Sequence, residues 1–439
     1  MRQQIHLKAP GNWINDPNGF IYYKGRYHMF YQHFPYAPRW GTMHWGHAVS
    51  EDLTSWEHVG IALFPTQKDD QNGCFSGSAV EADGKLYFYY TGVRFLDADP
   101  EDVHQDLTGK MLASQLMIPS EDGMTFHNFK DKRTVIPVIR DKKIGSEENT
   151  RDPKIWRGKD GWYIVLGSND DEKKGKLLFF RSEDLINWEY KNEASMDREF
   201  GWMWECPDYF DVDGQGVLTL SPMGFLNDGK KEQAQSVCMT VDFDETDCKM
   251  IFSEQYQFID YGLDLYAPQS NLDAEGRRVM FAWARMPKPV DGEWSGMFSL
   301  PRVVEVKDGH IYFRVHPNIR RKFSRKIHSP EQSGEGGYRI NIDLYENERI
   351  NIGGYKIWRE NHKLYADRSE VYDCAEEYRI RFETPEILEG NHLEIYVDNN
   401  LIETYINNGE YVLSSVVYGL GKEISADAAC VPELYTAEK

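Results

Sequence analysis

One short pattern returns five times in the first part of the chain, and it constrains the fold more than any other feature. A polar stretch leads into an apolar run, a turn glycine, and then a strand-like run rich in aromatic and β-branched residues. The glycines are Gly25, Gly84, Gly161, Gly214 and Gly276, followed by runs such as RYHMFYQHF, KLYFYYTG and RRVMFAWAR. Short apolar runs bounded by turn residues read as buried strands. A second phrase keeps the same beat. Ser50-Glu51-Asp52-Leu53 precedes Trp56, Ser182-Glu183-Asp184-Leu185 precedes Trp188, and Ser120-Glu121-Asp122 precedes Phe126. A four-stranded blade fits in roughly 40–60 residues, and radial repetition of such units makes a propeller. The expected fold is therefore all-β, with a five-bladed propeller over residues 1–316.

The repeat also carries chemistry. Nine residues before each glycine stand Asp16, Phe75, Asp152, Glu205 and Ala267. Equivalent positions in a closed ring meet at its axis, so this register brings three acids together. Like charges at contact distance cannot all ionise, so such acids must differ in protonation. That is how an acid/base site is assembled from carboxylates alone.

After residue 316 the character changes. A basic stretch, Arg320-Arg321-Lys322 with Arg325 and Lys326, leads into alternating strands such as HLEIYV (392–397) and LIETYI (401–406). Tight turns at Asp398-Asn399-Asn400 and at Asn408-Gly409 indicate antiparallel sheet. The reading is a linker over 317–324 and a β-sandwich over 325–439.

The net charge is −21, which offers no basic footprint for nucleic acid or an anionic membrane. No run of about 18 apolar residues appears, so no spanning helix is expected. The N-terminal MRQQIHLKAPGNW has no apolar leader core, and a cytoplasmic location is expected. The six cysteines form no CxxC pair and suit reduced, structural thiols, Cys74 and Cys206 packing beside the site. No metal cluster or phosphate loop is present, and no cofactor is expected. His44 and His47 read as structural or sugar-contacting. Oligomeric state is not legible.

Several motifs, in order, resemble those of family 32 glycoside hydrolases, the invertase and β-fructofuranosidase family. They are WINDPNG (13–19), FYQHFPY around Gln32, WGTMHWGH (40–47), Phe75-Ser76-Gly77-Ser78, Arg151-Asp152-Pro153, Glu205-Cys206-Pro207-Asp208, YGLDLYAPQ (261–269) and Ser299-Leu300-Pro301-Arg302. The resemblance spans nearly the whole chain. It implies a propeller with an attached sandwich and retaining hydrolysis of β-fructofuranosides such as sucrose or sucrose 6-phosphate. By the same resemblance Asp16 is the nucleophile, Glu205 the general acid/base and Asp152 the transition-state stabiliser. Asn15, Gln32 and Ser76 would bond sugar hydroxyls, Trp40, Phe75 and Trp283 would wall the pocket, and Arg151 would pair with a carboxylate. The implied partner is a small carbohydrate. Arg39, beside Trp40, could meet a phosphate, while the acidic loop 94–110 would repel one.

Other readings use the same features. A fructosyltransferase or an exo-acting fructan hydrolase would share the covalent intermediate. An inverting arabinan- or xylan-cleaving propeller would hold its acids further apart, about 6.5–9.5 Å. A sugar-binding propeller would need no acid trio at all.

Overall fold

The computed structural model describes residues 5–225, 235–334, 336–374, 378–427 and 429–438. Residues 1–4, part of the stretch read as lacking a leader core, lie outside them.

Five antiparallel sheets follow one another along the chain, and each begins with a long strand that the others line up behind. Those first strands are Asn12–Tyr23, Gly73–Ala82, Arg151–Arg157, Met203–Val212 and Leu265–Leu272. Each packs against the next, and the fifth packs against the first, so the ring closes. Closure is reinforced by a short strand, Trp294–Ser295, that leaves the fifth unit to pair in parallel with Asn12–Trp13 of the first sheet. The expected five-bladed propeller is what forms.

The repeated Ser-Glu-Asp phrase is one turn used three times, between the third and fourth strands of the first three sheets. The Ser50 and Ser182 hydroxyls accept from the Leu53 and Leu185 N–H groups at 2.9 and 3.0 Å. Asp52 and Asp184 then accept the N–H groups two residues on, at 2.9 and 3.0 Å. In the second sheet Gly123 replaces the leucine at φ +72°, where both leucines sit at φ 67°. Glycine reaches that region without the Cβ penalty, so the third copy keeps the turn while changing the letter.

Beyond a short helix, Pro317–Lys322, a six-stranded sheet packs on a five-stranded one. Ile340, Ile350, Ile357, Ile395 and Leu413 are buried between them. This is the expected sandwich, and the helix lies within the stretch read as linker.

A buried ionic cluster joins sandwich to propeller. Arg302 donates to Asp260 at 2.8 Å and to Glu403 at 2.7 Å. Glu403 also accepts the Leu300 N–H at 2.6 Å and meets His6 Nε2 at 3.0 Å, while His6 Nδ1 meets Asp398 at 3.0 Å. The Ser-Leu-Pro-Arg motif thus serves the interface between the two parts. Burial opposes a charge on His6, but its hydrogen bonds to Asp398 and Glu403 win and raise it to about 9. Glu403 is held at about 2 against its burial by Arg302 and His6. The signs follow from linkage. The imidazolium's stabilisation is complete below pH 6.5 and is lost as pH rises through about 9. The thermal midpoint should therefore fall between pH 6.5 and 9, and His6→Gln should flatten that fall. An equal slope in wild type and variant would show that His6 is not its source. Arg302→Ala should cost about 3–5 kcal/mol, because two buried carboxylates lose their cation. Denaturant melts of wild type and variant measure it.

Candidate active site

All five inner strands carry the same irregularity. Pairing with the next strand slips at Ile14/Pro17, Cys74/Gly77, Glu205/Asp208 and Tyr266/Gln269, and on the third strand two residues are skipped between Arg151 and Lys154. In each, two residues oppose one, which is a β-bulge. The unpaired couples are Asn15-Asp16, Phe75-Ser76, Asp152-Pro153, Cys206-Pro207 and Ala267-Pro268. Proline fits the second place because no ladder partner needs its missing N–H. Asp152, Cys206 and Ala267 take positive φ values of 64°, 48° and 50°. Backbone held in that region concentrates at functional sites.

The bulges correct the register read from the turn glycines. Glu205 stands just before its bulge, Asp152 on the first bulge residue and Asp16 on the second. The glycine count hides this for two reasons. The first strand has a second slip, between Asn18 and Ile21, which lengthens it by one residue. The fourth reaches its Asp213-Gly214 turn one residue sooner than the second reaches Asp83-Gly84. The acids still converge, but from three successive steps of one motif.

They meet around Cys206. Its Sγ lies 3.5 Å from Asp16 Oδ2 and 3.6 Å from Asp152 Oδ2, and its N–H donates to Asp152 at 3.0 Å. Burial, together with the nearby acids, pushes the thiol well above its usual range. It stays protonated and acts as a donor between two carboxylates, so Cys206 does more than the packing expected of it. The Ser76 hydroxyl donates to Asp16 and in turn accepts from Gln32 Nε2 at 2.6 Å. Gln32 is thus committed to Ser76 in this state, and reaches Asp16 only through it. Burial lifts Asp16 to about 6, with the Ser76, Asn15 and Cys206 hydrogen bonds opposing and Glu205 adding. Burial likewise raises Asp152, against Arg151 and with Glu205 and Asp16.

A second cluster comes from the step before the bulge. Arg151 donates to Glu205 Oε1 through Nε at 3.0 Å and Nη2 at 2.7 Å, and Tyr266 Oη donates to Oε2 at 2.6 Å. The carboxylate that pairs with Arg151 is therefore Glu205. Tyr266 was not singled out in the sequence. Its signal lies in spacing from proline, since Arg151, Glu205 and Tyr266 each stand two residues before Pro153, Pro207 and Pro268.

The wall residues gather on one flank. The Trp13 ring meets Trp283 edge to face at 5.7 Å, and Trp13 Nε1 donates to Asn15 at 2.9 Å. Trp40 meets Phe75 at 6.0 Å. Asn15, Gln32, Phe75, Ser76 and Trp283 are buried, and Trp40 is half-buried. His44 and His47 are both buried: His44 Nδ1 meets the Thr42 carbonyl at 3.0 Å, and His47 bonds His28 at 3.1 Å and stacks on Phe30. Lys132, Asp70 and Tyr90 enclose Cys74. Among the described residues no His/Cys/Asp/Glu group could hold a metal ion, and no helix is long and apolar enough to cross a membrane.

Comparison with known proteins identifies the family. The model for the N-terminal domain of glycosyl hydrolases family 32 matches residues 6–317, and the family's C-terminal model matches residues 310–430. The chain belongs to glycosyl hydrolase family 32. Among its relatives, a sucrose-6-phosphate hydrolase of Escherichia coli is 33% identical, over 94% of this chain and 88% of that protein. A raffinose invertase of Escherichia coli is also 33% identical, over 94% of this chain and 89% of that one. The solved family 32 β-fructofuranosidase of Bombyx mori superposes with a TM-score of 0.83 at 28% identity, covering 99% of this chain and 93% of that chain. A sucrose-6-phosphate hydrolase structure from Lactobacillus gasseri gives 0.86 at 24% identity, covering 100% and 93%, and speaks for the fold alone. The chain is a glycoside hydrolase with a small carbohydrate substrate.

Proposed function

We propose that the chain hydrolyses terminal β-D-fructofuranosides with retention, with sucrose or sucrose 6-phosphate as substrate. The observation that carries this reading is the meeting of Asp16 and Asp152 on Cys206, with Glu205 held alongside by Arg151 and Tyr266. Its family relatives, named as sucrose-6-phosphate hydrolase and raffinose invertase, support the substrate class.

Fructosyl transfer passes through an oxocarbenium-like state. Asp16, as carboxylate, attacks the anomeric carbon of the fructosyl ring. Glu205 gives its proton to the departing glycosidic oxygen, and a covalent fructosyl-enzyme forms. Water then attacks the anomeric carbon as Glu205, now a carboxylate, takes its proton; the bond from that carbon to Asp16 breaks, releasing fructose, the Asp16 carboxylate and a reprotonated Glu205. Asp152 holds ring hydroxyls and offsets the positive charge that develops. Asn15, Gln32 and Ser76 contribute polar contacts, Arg151 orients Glu205, and Trp40, Phe75 and Trp283 wall the ring. The indole N–H of Trp283 is buried without a hydrogen-bond partner, so Trp283 serves as an apolar wall. The catalytic unit is residues 1–316, with 317–324 as linker and 325–439 as sandwich. The six cysteines are all free thiols, which suits a reducing compartment and a cytoplasmic enzyme. NMR of the first fructose released from sucrose tests the reading: the β anomer supports it, and the α anomer refutes retention.

Ser76 gives a separate test. Its hydroxyl helps hold Asp16 down at about 6. A carboxylate nucleophile is lost as pH falls through its pKa, so kcat/KM should drop on the acid side near that value. Ser76→Ala removes the donor, so the acid limb should move to higher pH and activity at pH 6 should suffer more than at pH 8. Parallel pH profiles for the two enzymes would exclude this role for Ser76.

A further inference from the structure

The loop joining the strands Lys85–Phe95 and Met111–Ser120 is strapped over the segment that carries Trp40. Gln105 Nε2 donates to the Trp40 carbonyl at 3.3 Å, and His104 Nδ1 meets the Thr42 hydroxyl at 2.9 Å. The His104 ring stacks on Tyr36 at 5.4 Å. Asp102 Oδ2 accepts from Arg39 at 2.7 Å. The loop is rich in acids: Asp97, Asp99, Glu101, Asp102 and Asp106 against Arg94 and Lys110. Several of these charges are fixed by the loop's own backbone. Asp102 Oδ1 accepts the His104 N–H at 3.1 Å and Asp99 accepts the Glu101 N–H at 2.8 Å. Asp106 accepts from the N–H groups of Asp97, Thr108 and Lys110 at 2.7, 2.8 and 3.1 Å. These backbone donors orient the carboxylates they hold. The cation nearest Trp40 in sequence, Arg39, is already engaged, and Lys110 lies 4.0 Å from Glu148.

We propose that Asp102 and its loop set leaving-group specificity by charge, selecting a fructoside with a neutral leaving sugar over one carrying a phosphate. This rests on the fructofuranosidase reading and narrows it. Trp40 meets Phe75, next to the Ser76 that bonds Asp16, so the strap borders the pocket wall. A phosphorylated hexose brings a dianion to this acidic rim, whereas an unphosphorylated one meets no such repulsion. The named relatives include both a sucrose-6-phosphate hydrolase and a raffinose invertase, so family membership alone does not fix the leaving sugar.

The test compares kcat/KM for sucrose and sucrose 6-phosphate across an ionic-strength series, in wild type and in Asp102→Asn. The amide can still accept the His104 N–H, so the loop's backbone turn is kept. Wild type should favour sucrose by about ten-fold at low salt, with the ratio shrinking as salt screens the rim. Asp102→Asn removes a charge and frees Arg39, so it should raise kcat/KM for the phosphorylated sugar about ten-fold with sucrose within about two-fold. The salt series on wild type stands even if the variant folds poorly. A wild-type preference for the phosphorylated sugar, a ratio indifferent to salt, or no response in a folded Asp102→Asn protein overturns the proposal. Cleavage of both sugars at equal rates overturns it alone, whereas cleavage of neither removes the fructofuranosidase reading beneath it.

Discussion

Asp16→Ala should lower kcat on sucrose by about 10³-fold or more, as expected when a covalent nucleophile is removed. The alanine leaves Ser76 and Cys206 without their shared acceptor, Asp16 Oδ2. It leaves the bulge itself in place, since the Gly77 N–H still bonds Asn18 at 3.1 Å and the strand still pairs through Trp13 with Phe34. The fold should therefore survive, and circular dichroism and the melting midpoint should stay close to wild type. Because Asp16 sits at about 6 in the free enzyme, the wild-type acid limb should fall near that pH. Retention of more than a tenth of wild-type kcat, with the fold intact, would remove Asp16 from the nucleophile's place. A variant that unfolds would be replaced by Asp16→Asn, which keeps the shape and an acceptor for the Ser76 hydroxyl.

The architecture was legible because a propeller repeats. Turn glycines and the Ser-Glu-Asp phrase mark hairpins whose spacing survives changes in everything between them. The convergence of the acids was legible for the same reason. Their exact register was not, because a bulge adds a residue without any turn letter to announce it. The fourth strand's Cys206 takes the place that Asp152 holds on the third, and a count from glycine assigns that place to Glu205. Alignment on Pro153, Pro207 and Pro268 restores it, since proline marks the unpaired bulge residue. Tyr266 was hidden by the same miscount. Its phenol matters only because the fifth and fourth strands place it against Glu205, 2.6 Å away. Arg302 and His6 carry another lesson. Their partners Glu403 and Asp398 lie far away in sequence, so no local pattern links them. The same limit applies to Arg39, read in the sequence as a candidate phosphate contact, which a distant aspartate occupies in space.

Glu205→Gln separates proton delivery from everything else the site does. General acid help contributes roughly 10²–10⁴-fold, so kcat/KM on sucrose should fall by an amount in that range. Glutamine keeps the length and one acceptor, so Arg151 and Tyr266 can retain part of their contacts with the side chain, although two charge-assisted bonds from Arg151 become weaker. A substrate with a good leaving group, such as a fructosyl fluoride, needs no proton to depart. Its first step should be nearly unaffected by the substitution. Its second step still needs a base for water, so fructosyl-enzyme should accumulate on Asp16 and be visible by mass spectrometry of the intact protein. An added anion such as azide needs no base and should relieve the block by taking the fructosyl group. Equal losses on sucrose and on the activated substrate, with no trapped adduct and no azide rescue, would rule out Glu205 as the acid/base. The three results together distinguish a lost proton donor from a merely disturbed pocket, because disturbance would slow the activated substrate as much as the natural one.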